Sequence, residues 1–127
     1  MLDIALLPGE YAVCRMGAGA TLPYALSSGL RGADVVTVSW TSDGISVICP
    51  IDRAPAQAVV ETTWRCLRVT APVTLAGSLA ALVDPLAEAR VSAVTFSTFD
   101  TDYLLVPTVR LTEGTAALQR AGHRVTG

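Results

Sequence analysis

Two stretches of the chain, Tyr11-Ala12-Val13-Cys14-Arg15-Met16 and Trp64-Arg65-Cys66-Leu67-Arg68-Val69, follow one formula: aromatic, small or polar, apolar, apolar, arginine, apolar. Each reads as a strand, and their kinship points to an internal repeat. A second pair strengthens the reading. Val36-Thr37-Val38-Ser39 is echoed by Val94-Thr95-Phe96-Ser97, and each is followed by turn-forming residues, an apolar run and a proline, Pro50 or Pro107. Ser42-Asp43-Gly44 supplies a glycine that accepts positive φ, and Asp100-Thr101-Asp102 supplies Asx turn formers, so each pair of strands reads as a hairpin.

Between first strand and hairpin each half carries a candidate helix. In the second half Leu75, Leu79, Leu82, Val83 and Leu86 share one helical face, with Thr74 as N-cap. Pro85 falls inside this pattern, where it removes a backbone donor and predicts a kink. The first half predicts a shorter helix over about Leu22 to Leu30, opened by Thr21 and closed by Gly29 or Gly32. Beyond Pro107, Leu111, Thr115, Leu118 and Gln119 predict a closing helix that starts near Thr112 or Glu113 and is capped by Gly122. His123-Arg124-Val125 then predicts a last strand, with His123 facing the final helical carbonyls. No equivalent second helix is visible after Pro50, where Ala54-Pro55-Ala56-Gln57-Ala58 interrupts the pattern. The expected architecture is α+β: two ferredoxin-like βαββαβ repeats, 1–62 and 63–127, with antiparallel sheets and helices on one face.

Composition narrows the function classes. Hydrophobic residues make up 51% of the 127 positions and charged ones 16%, a surplus that predicts a large core and an apolar surface covered by a second copy. The nine basic residues are all arginine, scattered from Arg15 to Arg124, and the net charge is −2, so nucleic acid is not the expected partner. No apolar run is long enough to span a bilayer, and the first residues lack the pattern of a signal peptide, so the expected location is the cytoplasm. Cys14, Cys49 and Cys66 sit in apolar contexts without a C-x-x-C pair, and His123 is the sole histidine. Core-filling thiols are expected, with neither disulfides nor a metal site. Trp40, Trp64 and Phe96 fall on predicted strands and read as core or interface residues. Gly17-Ala18-Gly19 lacks the third glycine of a dinucleotide fingerprint, since position 22 is Leu22. His123 and Ser97 belong to no nucleophile elbow, so catalysis is not expected and no cofactor is indicated.

The chain resembles the short tandem ACT proteins related to the regulatory domains of aspartate kinases and to the Castor-type arginine sensors. The residues that carry the resemblance are Leu7–Arg15, Val47-Ile48-Cys49-Pro50, Trp64–Val69 and above all Ser97-Thr98-Phe99-Asp100-Thr101-Asp102-Tyr103-Leu104-Leu105-Val106-Pro107. The resemblance implies a small ligand, an amino acid, held by the loop after the first strand and by a facing hairpin. By position, that makes Thr74, Leu75, Gly77, Ser97, Thr98, Asp100 and Asp102 the binding residues. Backbone N–H groups at the start of the Leu75 helix suit a carboxylate, and Asp100 or Asp102 would accept from an ammonium. The competing reading is a protein–protein interaction module in which these residues only shape turns.

Overall fold

A computed structural model describes residues 1–71 and 77–127, in two compact units. One unit is Gly9–Trp64; the other combines Met1–Pro8 with Arg65–Gly127. The boundary read from sequence lay at 62/63, with the N-terminal residues in the first half. The first eight residues instead group with the second half, because their strand pairs there.

In the Gly9–Trp64 unit, β2 (Tyr11–Met16), β3 (Thr37–Thr41) and β4 (Gly44–Pro50) are joined by the first part of β5 (Val59–Ala71), in the order β3-β4-β2-β5. All pairings are antiparallel. Alternation along the strands builds the core: Ala12, Cys14 and Met16 of β2 lie against Ile45, Val47 and Cys49 of β4, all buried. The turn at Ser42-Asp43 closes on Gly44, whose φ is +148°. A Cβ there would stand 2.9 Å from the Met16 carbonyl oxygen, so only glycine fits.

The helix expected over Leu22–Leu30 does not form. The segment holds one 3₁₀ turn, Tyr24–Leu26, preceded by an extended Pro23 and ended before Gly29 and Gly32, both at positive φ. Thr21 therefore caps nothing. Only Leu26 of that turn is buried, too little apolar surface to hold a longer helix on the sheet. Arg53, in the 3₁₀ turn Ile51–Arg53, holds this segment by donating to the carbonyls of Ala25, Ser28 and Gly29 at 3.0, 2.6 and 2.7 Å.

The second unit contains β1 (Asp3–Leu6), the remainder of β5, α1 (Ser78–Glu88), β6 (Val94–Ser97), β7 (Asp102–Pro107), α2 (Leu111–Arg120) and β8 (Arg124–Thr126). β7 pairs with β6 and β5, β5 with β1, and β1 with β8. The β1–β8 pairing is parallel, which corrects the expectation of purely antiparallel sheets. A simple split βαβ order would set β8 beside β5; β1 occupies that place. The fold is mixed α+β, with eight strands and two α-helices among the described residues. Leu67, Leu82, Leu86, Leu104 and Leu118 are fully buried in this unit's core, each worth about 1.5–3 kcal/mol of removal from water.

Pro85 sits inside α1 without ending it. A residue at position 85 would donate its N–H to the carbonyl of Ala81, four residues earlier, and proline has none. His123 supplies the missing partner: its Nε2 lies 2.8 Å from the Ala81 carbonyl oxygen, while Nδ1 accepts from the Leu2 N–H at 3.1 Å. One bond fixes the other, since a ring that accepts at Nδ1 carries its proton on Nε2. The imidazole thus ties Leu2, the residue before β1, to α1 and is not a cap on α2, contrary to the sequence reading. The end of α2 is closed by backbone instead, with Gly122 at φ +96° and the His123 N–H on the Leu118 carbonyl.

Candidate functional site

Four of the residues singled out from sequence, Ser97, Thr98, Asp100 and Asp102, come together on the β6–β7 hairpin. Ser97 faces Asp102 across the last rung of the ladder, and its hydroxyl donates to Asp102 Oδ1 at 2.6 Å. The Thr98 N–H donates to the Thr101 carbonyl at 2.9 Å, which tightens the turn. Asp100 is exposed, and its carboxylate makes no hydrogen bond or ion pair among the described residues. The hairpin therefore presents one carboxylate oriented by a serine and one open to solvent.

What positions this turn is a residue that the sequence reading passed over. Thr101 is buried at 4% exposure, and its hydroxyl donates to the Val69 carbonyl on β5 at 2.7 Å. That bond pins the tip of the hairpin near the C-terminal end of β5. The partners lie 32 positions apart, so a threonine between two aspartates gave no local signal for it. Below the turn, Phe96 stacks on Tyr103 with centroids 4.9 Å apart and planes 2° from parallel, and the Arg68 guanidinium lies over the Tyr103 ring at 5.8 Å. Phe99, at the tip, is fully exposed.

Gly77 occupies the N-cap position of α1 at φ +80°, a conformation that favours glycine. No hydrogen bond joins it to the hairpin among the described residues. Thr74, expected as the N-cap, and Leu75 lie outside the described residues. Four of the seven expected residues thus share one hairpin, whose aspartates could accept hydrogen bonds from a cationic group.

The thiols offer no alternative chemistry. Cys66 and Cys49 are fully buried, and burial foremost pushes each pKa up to about 12. Cys14 is also raised, again by burial first. Protonated thiols at neutral pH are poor nucleophiles and poor ligands. Among the described residues no group of three His, Cys, Asp or Glu side chains is placed to hold a metal ion. Among them, too, no helix is long and apolar enough to cross a membrane.

Residues 59–120, from the start of β5 to the end of α2, match the family model of the ACT domain. The match spans a single ACT domain and includes the hairpin just described. No curated protein matches the chain. Among solved structures, Atu0741 from Agobacterium tumefaciens is similar at 28% identity and a TM-score of 0.87, over 99% of this chain and 93% of that one. VC0802 from Vibrio cholerae, described as a possible transport protein, aligns at 19% identity and a TM-score of 0.75, over 94% and 89% of the two chains. The aspartate kinase of Clostridium acetobutylicum, described as an allosteric enzyme, aligns at 10% identity and a TM-score of 0.60, over 93% of this chain and 34% of its own. The last two likenesses concern the fold alone.

Proposed function

We propose that the protein is a small regulatory module of tandem ACT-like repeats that senses an amino acid or a related metabolite in the cytoplasm, as a homodimer and without catalysing a reaction. ACT domains are in general regulatory domains that bind small ligands. The observation that carries the reading is the pinned hairpin inside the ACT match. Asp102 is oriented by Ser97, Asp100 is left open, and Thr101 anchors both to β5. Neither carboxylate makes an ion pair among the described residues, and a ligand ammonium would neutralise them. The repeat read from sequence supports the tandem arrangement, since both hairpins end in a proline followed by a 3₁₀ turn, Ile51–Arg53 and Thr108–Arg110.

The test is a thermal-shift screen of the full chain against the twenty amino acids. A ligand present at about a hundred times its dissociation constant adds about 2.7 kcal/mol, a rise of several degrees. The expected result is a selective rise with one amino acid or a small set, abolished in Asp102→Ala while the melting temperature of the free variant stays near wild type. A flat response across the set overturns the sensor reading and favours the interaction module.

A further inference from the structure

The two helices of the second unit enclose a groove that the hairpin site does not use. It has a volume of about 480 Å³ and is lined by Asp84, Pro85, Glu88 and Ala89 of α1 and its end, and by Ala117, Arg120 and Ala121 of α2 and its end. The floor is alanine and proline, so another helix can approach closely. The walls carry opposite charge, with Asp84 and Glu88 on α1 and Arg120 on α2. All three are exposed, and none makes an ion pair or hydrogen bond among the described residues.

The acidic wall works against its own helix. Asp84 and Glu88 are four residues apart on one face, a spacing at which like charges repel. Both lie in the C-terminal half of α1, where the macrodipole disfavours negative charge, and the last turn carries no basic residue to offset them. Arg120 has the opposite character, a cation in the last turn of α2. A face that holds unneutralised acids on one wall and an unneutralised base on the other is complementary to itself. A two-fold axis lying in the plane of this face, along the groove, would set α2 of a second copy over α1, bringing each Arg120 toward the Asp84 and Glu88 of the other copy.

We infer that this α1–α2 face is the surface through which two copies of the chain associate. The inference rests on the homodimer reading above, and names the surface and the charges that hold it. Alanine floors let the helix pairs come together, and the paired charge clusters fix register and orientation.

Sedimentation equilibrium on the full chain tests it with two charge-reversal variants, Arg120→Glu and the double variant Asp84→Arg/Glu88→Arg. Wild type is expected to be a dimer at tens of micromolar, weakened by raising sodium chloride from about 50 to 500 mM. Each variant is expected to raise the dimer dissociation constant on the order of tenfold or more, with an unchanged far-ultraviolet spectrum. Mixed one to one, the two variants restore opposite charge at both clusters and are expected to form a heterodimer. A monomeric wild type overturns the inference together with the dimer reading, and a dimer indifferent to salt and to Arg120→Glu overturns the surface alone. The ligand screen is independent of both outcomes, because it reads the Asp102 hairpin.

Discussion

Replacing His123 by leucine tests how a proline is accommodated inside α1. In the wild type the imidazole satisfies two backbone groups, the Leu2 N–H at 3.1 Å and the Ala81 carbonyl at 2.8 Å. The ring itself is buried at 7% exposure, and Leu2 at 3%. His123→Leu keeps the bulk and removes both partners; the buried Leu2 N–H left unpaired costs about 1–3 kcal/mol and the half-buried Ala81 carbonyl about 1 kcal/mol, so the variant should lose about 2–4 kcal/mol. In a Pro85→Ala background the outcome differs. The substituted alanine then donates its own N–H to the Ala81 carbonyl, and removing the imidazole orphans only Leu2. The cost of His123→Leu should drop by the Ala81 carbonyl's share, about 1 kcal/mol, which is the coupling energy of a double-mutant cycle. Urea unfolding followed by circular dichroism on the four proteins measures it. If the two substitutions add to within about 0.5 kcal/mol, the imidazole is not standing in for the missing proline donor and the reasoning is refuted.

Two further predictions concern the cores. Burial pushes the Cys66 and Cys49 thiols up to about 12 in the folded state, from an ordinary cysteine value of 9.0 that applies once the chain is unfolded and the thiols are exposed. Above pH 9 the unfolded state binds fewer protons than the folded one. Stability should therefore be unaffected below that point and fall by about 1.4 kcal/mol per pH unit per thiol as pH rises toward 12. Urea midpoints measured from pH 8.5 to 10.5 in wild type and Cys66→Ala should show a flatter fall in the variant, and equal slopes would contradict the burial argument. At the β3–β4 turn, Gly44→Ala should cost about 1–3 kcal/mol, because the methyl group meets the Met16 carbonyl at 2.9 Å with φ held at +148°. A melting temperature equal to wild type would show that the turn can open at no cost.

Much of the second half was legible in the sequence because its signals are local. The alternation in Val94–Ser97, the continuous apolar run Tyr103–Val106, the turn-forming residues between them, and the periodic leucines around Leu82 and Leu86 each depend on residues within a few positions of one another. The structure places β6, β7 and α1 on them. The closing helix and its Gly122 end were readable for the same reason. The first half misled where propensity had no tertiary support: Leu22 to Leu30 contains helix formers, but it offers the sheet one buried side chain, and the carbonyls that a helix would satisfy go to Arg53 instead.

By itself, then, the sequence determined the strands of the two hairpins, their turns and the mixed α+β class, and singled out the aspartates of the β6–β7 hairpin, since these follow from periodicity, turn chemistry and family likeness. Tertiary structure alone decided that Asp3–Leu6 is a strand between β5 and β8, that Thr101 anchors the hairpin to Val69, that His123 completes the hydrogen bonding of a helix that lacks a donor at Pro85, and that two acids and an arginine line one groove with alanines between them. Each of these joins residues far apart along the chain. Their partners are set by where the packed core brings the backbone, and no local pattern encodes that.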